Sequence, residues 1–243
     1  MLNTTILSLS ITSLSNSPFI IPTTNFKIGK SAFSYFFNSP IYSVQPINNF
    51  LCLQTKFSNI FGNGIHLDFS LGDHEKQVFQ ETLEIKAYTT QLKIISCLFI
   101  DCISQSEGGG IKSAAENANI FIQSTGFTKC RSSKTGGAFY LACKKFALQR
   151  CCISSCVADE SAAFYFTNKY ENTDEFQHTY VHDISPTSTA TNTIFIDSHE
   201  PNIQNINFSL IQQPSIQSVI EFQQFEGFTY RYTLFSMCKG TNL

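Results

Sequence analysis

Nine cysteines are the residues of this chain with the widest range of possible chemistry. No two of them are separated by exactly two residues, so the paired Cys-x-x-Cys knuckles of a zinc ribbon do not occur. A free cysteine often packs as a small apolar side chain. We therefore expect mostly buried thiols, and disulfide bonds or a metal site remain as alternatives. The cysteines lie at positions 52, 97, 102, 130, 143, 151, 152, 156 and 238.

Cys151 and Cys152 are adjacent in the chain, so the element that holds them decides where their thiols point. On a β-strand, neighbouring side chains face opposite sides of the sheet. We expect one of these two thiols to face outward and to be reactive, unless the pair lies at a bend.

His178 and His182 have the i, i+4 spacing of zinc-binding histidines on a helix, with carboxylates close by in the sequence. The glutamate of the His-Glu-x-x-His signature is missing, because Thr179 stands in its place. The surrounding segment is polar and breaks the regular pattern of the chain. We predict a solvated loop here, with the two histidines as weak candidate metal ligands, and we expect no cofactor.

The carboxylates are scattered and include no Asp-x-Asp motif or adjacent aspartates. Polysaccharide lyases and hydrolases need carboxylates that converge on one face. Asp101 and the pair Asp159-Glu160 fall at different phases of the repeat described below, so they are not expected to stack. The sequence favours a protein without catalytic activity, and a carbohydrate-active enzyme is the alternative. The aspartates considered are Asp68, Asp101, Asp159, Asp174, Asp183 and Asp197.

Composition indicates the elements that must position these groups. The chain has 243 residues, of which 42% are hydrophobic and 14% charged, and its net charge is −2. This hydrophobic content excludes general disorder, and the near-neutral charge disfavours nucleic-acid binding. Phe, Ile and Thr are abundant, which favours strands. We expect no transmembrane segment, and no signal peptide or membrane anchor is visible, so the sequence assigns no compartment.

An internal repeat organises the middle of the chain. Three segments share the pattern apolar-x-x-Cys, then a polar spacer, then small residues followed by an apolar residue. The cysteines of successive copies are 28 and 26 residues apart. The shared positions are Phe99, Cys102, Gly108 and Gly109 in the first copy, Phe127, Cys130, Gly136 and Gly137 in the second, and Ile153 and Cys156 in the third.

A repeat of this length with short apolar strands and polar corners is typical of a parallel β-solenoid, in which like residues of successive turns stack. The small residues fit tight corners. In the third copy Ser161-Ala162-Ala163 replaces the glycine-rich run, which indicates a demand for small size. The cysteines are expected to form an inward-facing ladder.

The two motifs resemble the FxxN and GGA[I/L/V] pair of polymorphic outer-membrane-protein repeats, in the cysteine variant seen in trichomonad-like protists. Gly136-Gly137-Ala138-Phe139 carries the resemblance, which covers about residues 95–166. It implies a right-handed parallel β-helix and a role in surface adhesion. The chain departs from the family pattern where Cys102, Cys130 and Cys156 replace asparagine, and the third copy lacks both glycines.

We accordingly predict an all-β, right-handed parallel β-helix with turns of about 26–28 residues and one corner loop insertion. Residues 1–50 are predicted as a cap or irregular rungs, 51–169 as the β-helix, 170–192 as the loop, and 193–243 as further rungs with an incomplete last turn. We expect a non-catalytic adhesion-type binding or structural module. Its partner would be a host or cell-surface protein or glycan, contacted through a lateral face or the loop. An inert fragment of a repeat family is a further alternative.

Overall fold

The structure is a computed structural model, and it confirms an all-β parallel solenoid. It describes residues 3–15, 17, 19–20, 25–43, 47–68, 90–168, 170, 173–184, 192–211, 218–223, 227, 229–236 and 238. These residues form 25 strands, numbered here in chain order, and the pairings between them are parallel. No helix in these ranges is long and apolar enough to cross a membrane.

Each coil of the chain adds one strand to each of three faces, which we call faces 1, 2 and 3 in the order in which the coil visits them. Apolar and polar residues alternate along the strands. The apolar side chains mostly point inward and the polar side chains mostly point outward. Nine strands stack in face 2. They are β2 (Ser10–Thr12), β5 (Ala32–Phe36), β8 (Lys56–Ile60), β11 (Leu98–Ser104), β13 (Gly126–Thr128), β16 (Cys152–Ser154), β19 (Tyr180–His182), β22 (Asn207–Ser209) and β25 (Leu234–Ser236), and β14 (Arg131–Ser132) pairs with β11.

Faces 1 and 3 belong to a second sheet, because two long strands pass from face 3 directly into face 1. These are β12 (Ile111–Gln123) and β15 (Phe139–Gln149). Face 1 further contains β1 (Asn3–Leu7), β4 (Asn25–Gly29), β7 (Asn49–Leu53), β10 (Thr90–Ile95), β18 (Thr173–Gln177), β21 (Glu200–Gln204) and β24 (Thr229–Arg231). Face 3 further contains β3 (Phe19–Ile20), β6 (Ile41–Ser43), β9 (Ile65–Asp68), β17 (Phe164–Thr167), β20 (Asn192–Asp197) and β23 (Ser218–Gln223).

The core consists of columns of like residues that run along the solenoid. In face 2, the rings of Phe57, Phe99 and Phe127 lie parallel, with centroids 4.8 and 4.9 Å apart. Phe208 and Phe235 repeat this stacking at 4.9 Å. The spacing matches the distance between neighbouring strands, so each ring covers the apolar face of the next.

Two corners of each coil use the left-handed backbone region, in which φ is positive. One corner lies between faces 1 and 2 and the other lies five residues later, within or just after the face 2 strand. A shift of one residue in the pairing of two strands would turn every inward side chain outward. The constant spacing of the two corners keeps the inward residues of successive coils in register. The pairs are Ser8 and Ser13, Lys30 and Tyr35, Gln54 and Asn59, Ser96 and Asp101, Ser124 and Lys129, Arg150 and Ser155, His178 and Asp183, and Asn205 and Leu210.

The predicted loop at 170–192 is corrected by the structure over residues 173–182. Strands β18 and β19 occupy this range, and they pair with β15 and β16 on one side and with β21 and β22 on the other. The polar residues that suggested a loop are largely outward-facing side chains of a regular coil. Residues 171–172 and 185–191 of the predicted loop lie outside the described residues.

The N-terminal range 1–50, predicted as a cap or irregular rungs, contributes strands to the same faces. Strand β4 pairs with β1 and β7, and β5 pairs with β2 and β8. Phe33 lies in register with Phe57, whose ring centroid is 5.4 Å away. These first coils therefore belong to the solenoid itself.

Candidate functional site

The repeat residues recognised in the sequence lie inside the solenoid. Phe99, Phe127 and Ile153 are Cα partners in face 2 and are fully buried. The cysteine three residues after each of them is also fully buried, and its thiol donates a long hydrogen bond to a backbone carbonyl of the preceding coil. These contacts are Cys102 Sγ to Phe57 O (3.9 Å), Cys130 Sγ to Phe99 O (3.6 Å) and Cys156 Sγ to Phe127 O (3.8 Å), and Cys238 Sγ to Phe208 O repeats them at 3.7 Å.

The chemistry of these core thiols follows from their burial. Burial raises the pKa of Cys102 and Cys156 well above the ordinary value, because the charged thiolate loses its hydration. A thiol that stays protonated is a weak nucleophile and a poor metal ligand. Cys102 and Cys156 are small packing residues that also donate to the backbone. Burial acts in the same direction on Cys130 between them, but hydrogen bonds from the Cys102 and Cys156 thiols lower the pKa of Cys130 below the ordinary value.

The glycine corner makes two separate demands on its residues. Gly108 and Gly136 have φ of 65° and 70°, and Ser161 takes the same position in the next coil with φ of 49°. The sequence argument assigned this corner mainly to small size, and the structure adds a left-handed backbone. Gly109 and Gly137 follow, and their demand is for space, since a Cβ there would meet the backbone of the next coil.

The candidate metal ligands do not come together as a helical pair. His178 occupies a left-handed corner with φ of 51°, and His182 lies on the outer side of β19 beside the Tyr180 ring. The i, i+4 spacing has its zinc-binding meaning only on a helix, and the backbone here is extended. Within the described ranges no group of three or more His, Cys, Asp or Glu residues could hold a metal ion.

Cys151 and Cys152 divide between the two sides of the chain, as alternation on a strand predicts. Cys151 is buried and Cys152 is exposed on the outer side of face 2. Partial burial raises the pKa of Cys152, so its thiol is accessible without being activated.

A column of hydroxyl and thiol side chains at the corner before face 2 was missed in the sequence. Each side chain donates to the carbonyl oxygen two residues earlier, as in Thr55 to Leu53 (2.9 Å) and Cys97 to Ile95 (3.4 Å). The signal was a Ser, Thr or Cys two residues before the inward apolar residue of face 2. The column comprises Ser31, Thr55, Cys97, Thr125, Cys151 and Thr179.

A group of partly exposed apolar side chains lies around the corner between faces 1 and 2. Elsewhere on the surface Phe37 and Phe61 form a more exposed stacked pair, with ring centroids 5.6 Å apart. Leu53 and Ile95 are Cα partners in face 1, and Leu98 and Ile100 lie across the corner in face 2. In the following coils the partners of Ile95 are polar, namely Gln123, Gln149, Gln177 and Gln204 in succession. We define the apolar patch as Leu51, Leu53, Ile95, Leu98, Ile100 and Phe121, none of which is buried.

A groove of about 390 Å³ continues face 1 from this patch toward the first coils. Amide side chains border it and bond to one another, with Asn25 donating to Asn3 at 2.8 Å and Asn49 donating to Asn25 at 2.7 Å. Apolar residues beside uncharged hydrogen-bonding groups resemble the core and rim of a protein interface. The groove is lined by Asn3, Thr4, Thr5, Asn25, Phe26, Lys27, Asn49 and Leu51.

No family model matches the chain, and no curated protein or solved structure matches it either. The resemblance to the outer-membrane-protein repeats stays a prediction.

His66 is a partly buried histidine on the outer side of face 3, and its surroundings shift its pKa. The His66 ring lies edge-on to Tyr42, with centroids 4.9 Å apart, and His66 is the Cα partner of Lys112. Burial and the positive charge of Lys112 lower the pKa of His66 to about 4, against smaller opposing effects of Asp68 and Glu107. Its Nε2 atom is buried without a hydrogen-bond partner, which suits the neutral form.

This pKa predicts a loss of stability in mild acid. The unfolded state, with an ordinary histidine pKa of about 6.5, takes up the proton first as the pH falls. The free energy of unfolding is therefore unaffected by His66 above about pH 6.5 and falls as the pH drops toward 4. We expect this fall to amount to about 2–3 kcal/mol. Urea unfolding followed by circular dichroism at pH 7 and pH 4.5 measures it. His66→Phe keeps a ring against Tyr42, so it should show a smaller difference between the two pH values. Equal differences in both proteins would refute the assignment.

Proposed function

We propose that this protein is a non-catalytic binding module that contacts a partner protein through the apolar patch on its lateral surface. The single observation that supports this is the change of residue type at outward positions of one coil. Leu98 is exposed, and Ile95 and Ile100 are half-buried on the outer side, where the next coil carries Gly126, Gln123 and Thr128. Exposed apolar residues that cluster on an otherwise polar surface commonly mark an interaction site.

The dimensions of the surface suit a protein partner. Nine stacked strands at the usual strand spacing give a face roughly 40 Å long, and five residues of extended chain make it roughly 17 Å wide. The resulting area of roughly 650 Å² is close to the share of about 800 Å² that one partner contributes to an interface of standard size. A regular solenoid presents this surface without the entropic cost of ordering a loop.

The chemistry of the surface favours a protein over a polyanion. Leu53 and Ile95 are adjacent at its centre, and Gln123 is the next residue of the same outward column. Lys93 and Lys56 lie at the margin, Lys93 as the Cα partner of Leu51 and Phe121 and Lys56 as the partner of Leu98. Charged residues are depleted at the centre of protein interfaces, because removing a charge from water is costly. The adhesion role implied by the resembled repeats supports a partner at a cell surface.

Site-specific photo-crosslinking in cells that produce the protein tests this proposal. A photo-reactive residue replaces Ile95 in one protein and Gln204 in a matched control, since both side chains belong to the same outward column of face 1. We expect a discrete protein adduct from position 95 and none from position 204. The proposal is wrong if neither position gives an adduct, or if both give the same adducts.

A further inference from the structure

Two buried cysteines lie in contact although they are 45 residues apart in the sequence. The Sγ atoms of Cys52 and Cys97 are 3.5 Å apart, and Cys97 Sγ is also 3.5 Å from the carbonyl oxygen of Cys52. Cys52 is an inward residue of face 1, and Cys97 lies at the corner of the next coil, between Ile95 and Leu98 of the apolar patch in the chain. Both side chains are almost completely excluded from solvent.

Cys52 departs from the residue type of its column, and Cys97 differs from its two neighbours in the hydroxyl and thiol column. The inward column that contains Cys52 otherwise consists of large apolar residues, with Ile28 before it and Ile94, Ile122 and Leu148 after it. The corner column that contains Cys97 has threonine in the coils on either side, at Thr55 and Thr125. Neither packing nor the corner hydrogen bond requires a thiol at both positions.

Cys151 shows what the same corner looks like without a second cysteine. Its thiol lies 3.7 Å from the carbonyl oxygen of Ile122, which corresponds to the contact of Cys97 with Cys52. At Cys151 the facing side chain is isoleucine, whereas at Cys97 it is another thiol. At this corner, a thiol–thiol contact is thus present at Cys97 and not at Cys151.

We propose that Cys52 and Cys97 are a redox-active pair that forms a disulfide bond between two successive coils beneath the apolar patch. Closing the bond brings the sulfur atoms from 3.5 Å to about 2.05 Å. When Cys97 is ionised, the Cys52 thiol donates a hydrogen bond to its thiolate, and this lowers the pKa of Cys97 in spite of burial. Cys97 is accordingly the attacking thiol.

The oxidant in this proposal is a low-molecular-weight disulfide of the glutathione type. Cys97 is buried, so local opening of the corner must first expose it. Its thiolate then attacks one sulfur of this disulfide, a mixed disulfide forms, and one small thiolate leaves. Cys52 then loses its proton and attacks the Cys97 sulfur, which releases the second small thiolate. The protein loses two electrons and two protons, and the oxidant gains both electrons and is reduced to two thiols.

The bond would constrain the unfolded chain, because the two cysteines are 45 positions apart in the sequence. A disulfide that closes a loop of this length restricts the unfolded state strongly, so we expect the oxidised protein to melt roughly 5–10 °C higher than the reduced one. The coils that carry Leu53 and Ile95 would then be covalently joined.

Equilibration of the folded protein in buffers of reduced and oxidised glutathione tests the proposal, with peptide mapping by mass spectrometry as the readout. We expect one disulfide, Cys52–Cys97, to form in buffers more reducing than those that oxidise any other pair. Cys52→Ile, which restores the residue type of the column, should lose this bond and the rise in melting temperature while remaining folded.

Ile122→Cys provides the matched gain of function. It places a thiol opposite Cys151, where the corner is otherwise the same, and should give a second disulfide between positions 122 and 151. The proposal is overturned if nine free thiols persist in the native protein under oxidising buffer, or if Cys102, Cys130 or Cys156 is oxidised first. Failure of the Ile122→Cys protein to form its bond would also count against it, because the geometry would then not suffice.

Discussion

Replacing Gly137 with alanine is expected to destabilise the protein by about 3 kcal/mol and to lower its melting temperature by roughly 10 °C. A Cβ at this position would lie 2.7 Å from the Val157 nitrogen and would contact the carbonyl oxygen of Ala162, both of which are backbone atoms of the next coil. Backbone atoms inside a stack of paired strands cannot move aside without breaking hydrogen bonds on both sides. The coils would have to separate locally.

Gly137 has no room for a Cβ because the next coil is stacked against it, and not because of the backbone conformation of the corner. Ala162 occupies the equivalent position one coil later and carries a Cβ in the same kind of corner. Gly227→Ala is the control, because its nearest atom would be the flexible Glu200 Cγ at 3.5 Å. Thermal unfolding followed by circular dichroism should show a change within about 0.5 kcal/mol for the control. Similar melting temperatures for the two variants would mean that the coils at Gly137 are less closely packed than the structure places them.

Asp174→Ala is the second substitution with a large expected effect, a loss of about 3–4 kcal/mol. The Asp174 carboxylate is fully buried and accepts three hydrogen bonds. The donors are the Phe146 backbone N–H at 2.7 Å, the Asn168 amide at 2.8 Å and the Ser198 hydroxyl at 2.6 Å. Alanine would leave these donors buried without an acceptor, and each such group costs about 1–3 kcal/mol.

Two further variants separate the buried hydrogen bonds from the loss of charge. Asp174→Asn keeps an oxygen for the Phe146 N–H and should lose about half as much stability as alanine. Asp183→Ala removes a carboxylate whose hydrogen bond from Ser155, at 2.7 Å, is exposed, so the change should stay below about 1 kcal/mol. Urea unfolding measures all three, and an equal effect of the two alanine substitutions would contradict the structural role of Asp174.

The ionisation of Asp174 affects stability in the direction opposite to most carboxylates. Burial raises its pKa above the ordinary value, and the hydrogen bonds from Ser198, Asn168 and Phe146 only partly offset this. The folded state therefore takes up a proton more readily than the unfolded state does. The stability contributed by this group rises as the pH falls through its folded pKa.

The repeat at 95–166 was sufficient to predict the fold class, because short-range spacing of large, small and polar residues is visible in a single sequence. The positions of Phe99 and Phe127 in one column followed from that spacing. The coil at 173–184 was not recognised, since its inward residues Phe176, Val181 and Ile184 match the column but its corners lack glycine. The polar side chains that point outward from this coil made its match to the repeat hard to recognise in the sequence.

The sequence by itself determined a parallel solenoid, inward cysteines three residues after the inward apolar residue of face 2, and opposite directions for Cys151 and Cys152. All three depend on the local alternation of side chains, which is a property of an extended chain. Only the tertiary structure decided that Asp174 is buried, that Ile95 and Leu53 share an outer surface, and that Cys52 meets Cys97. These contacts depend on which coil stacks on which, and the unequal number of residues from one coil to the next conceals that register in the sequence.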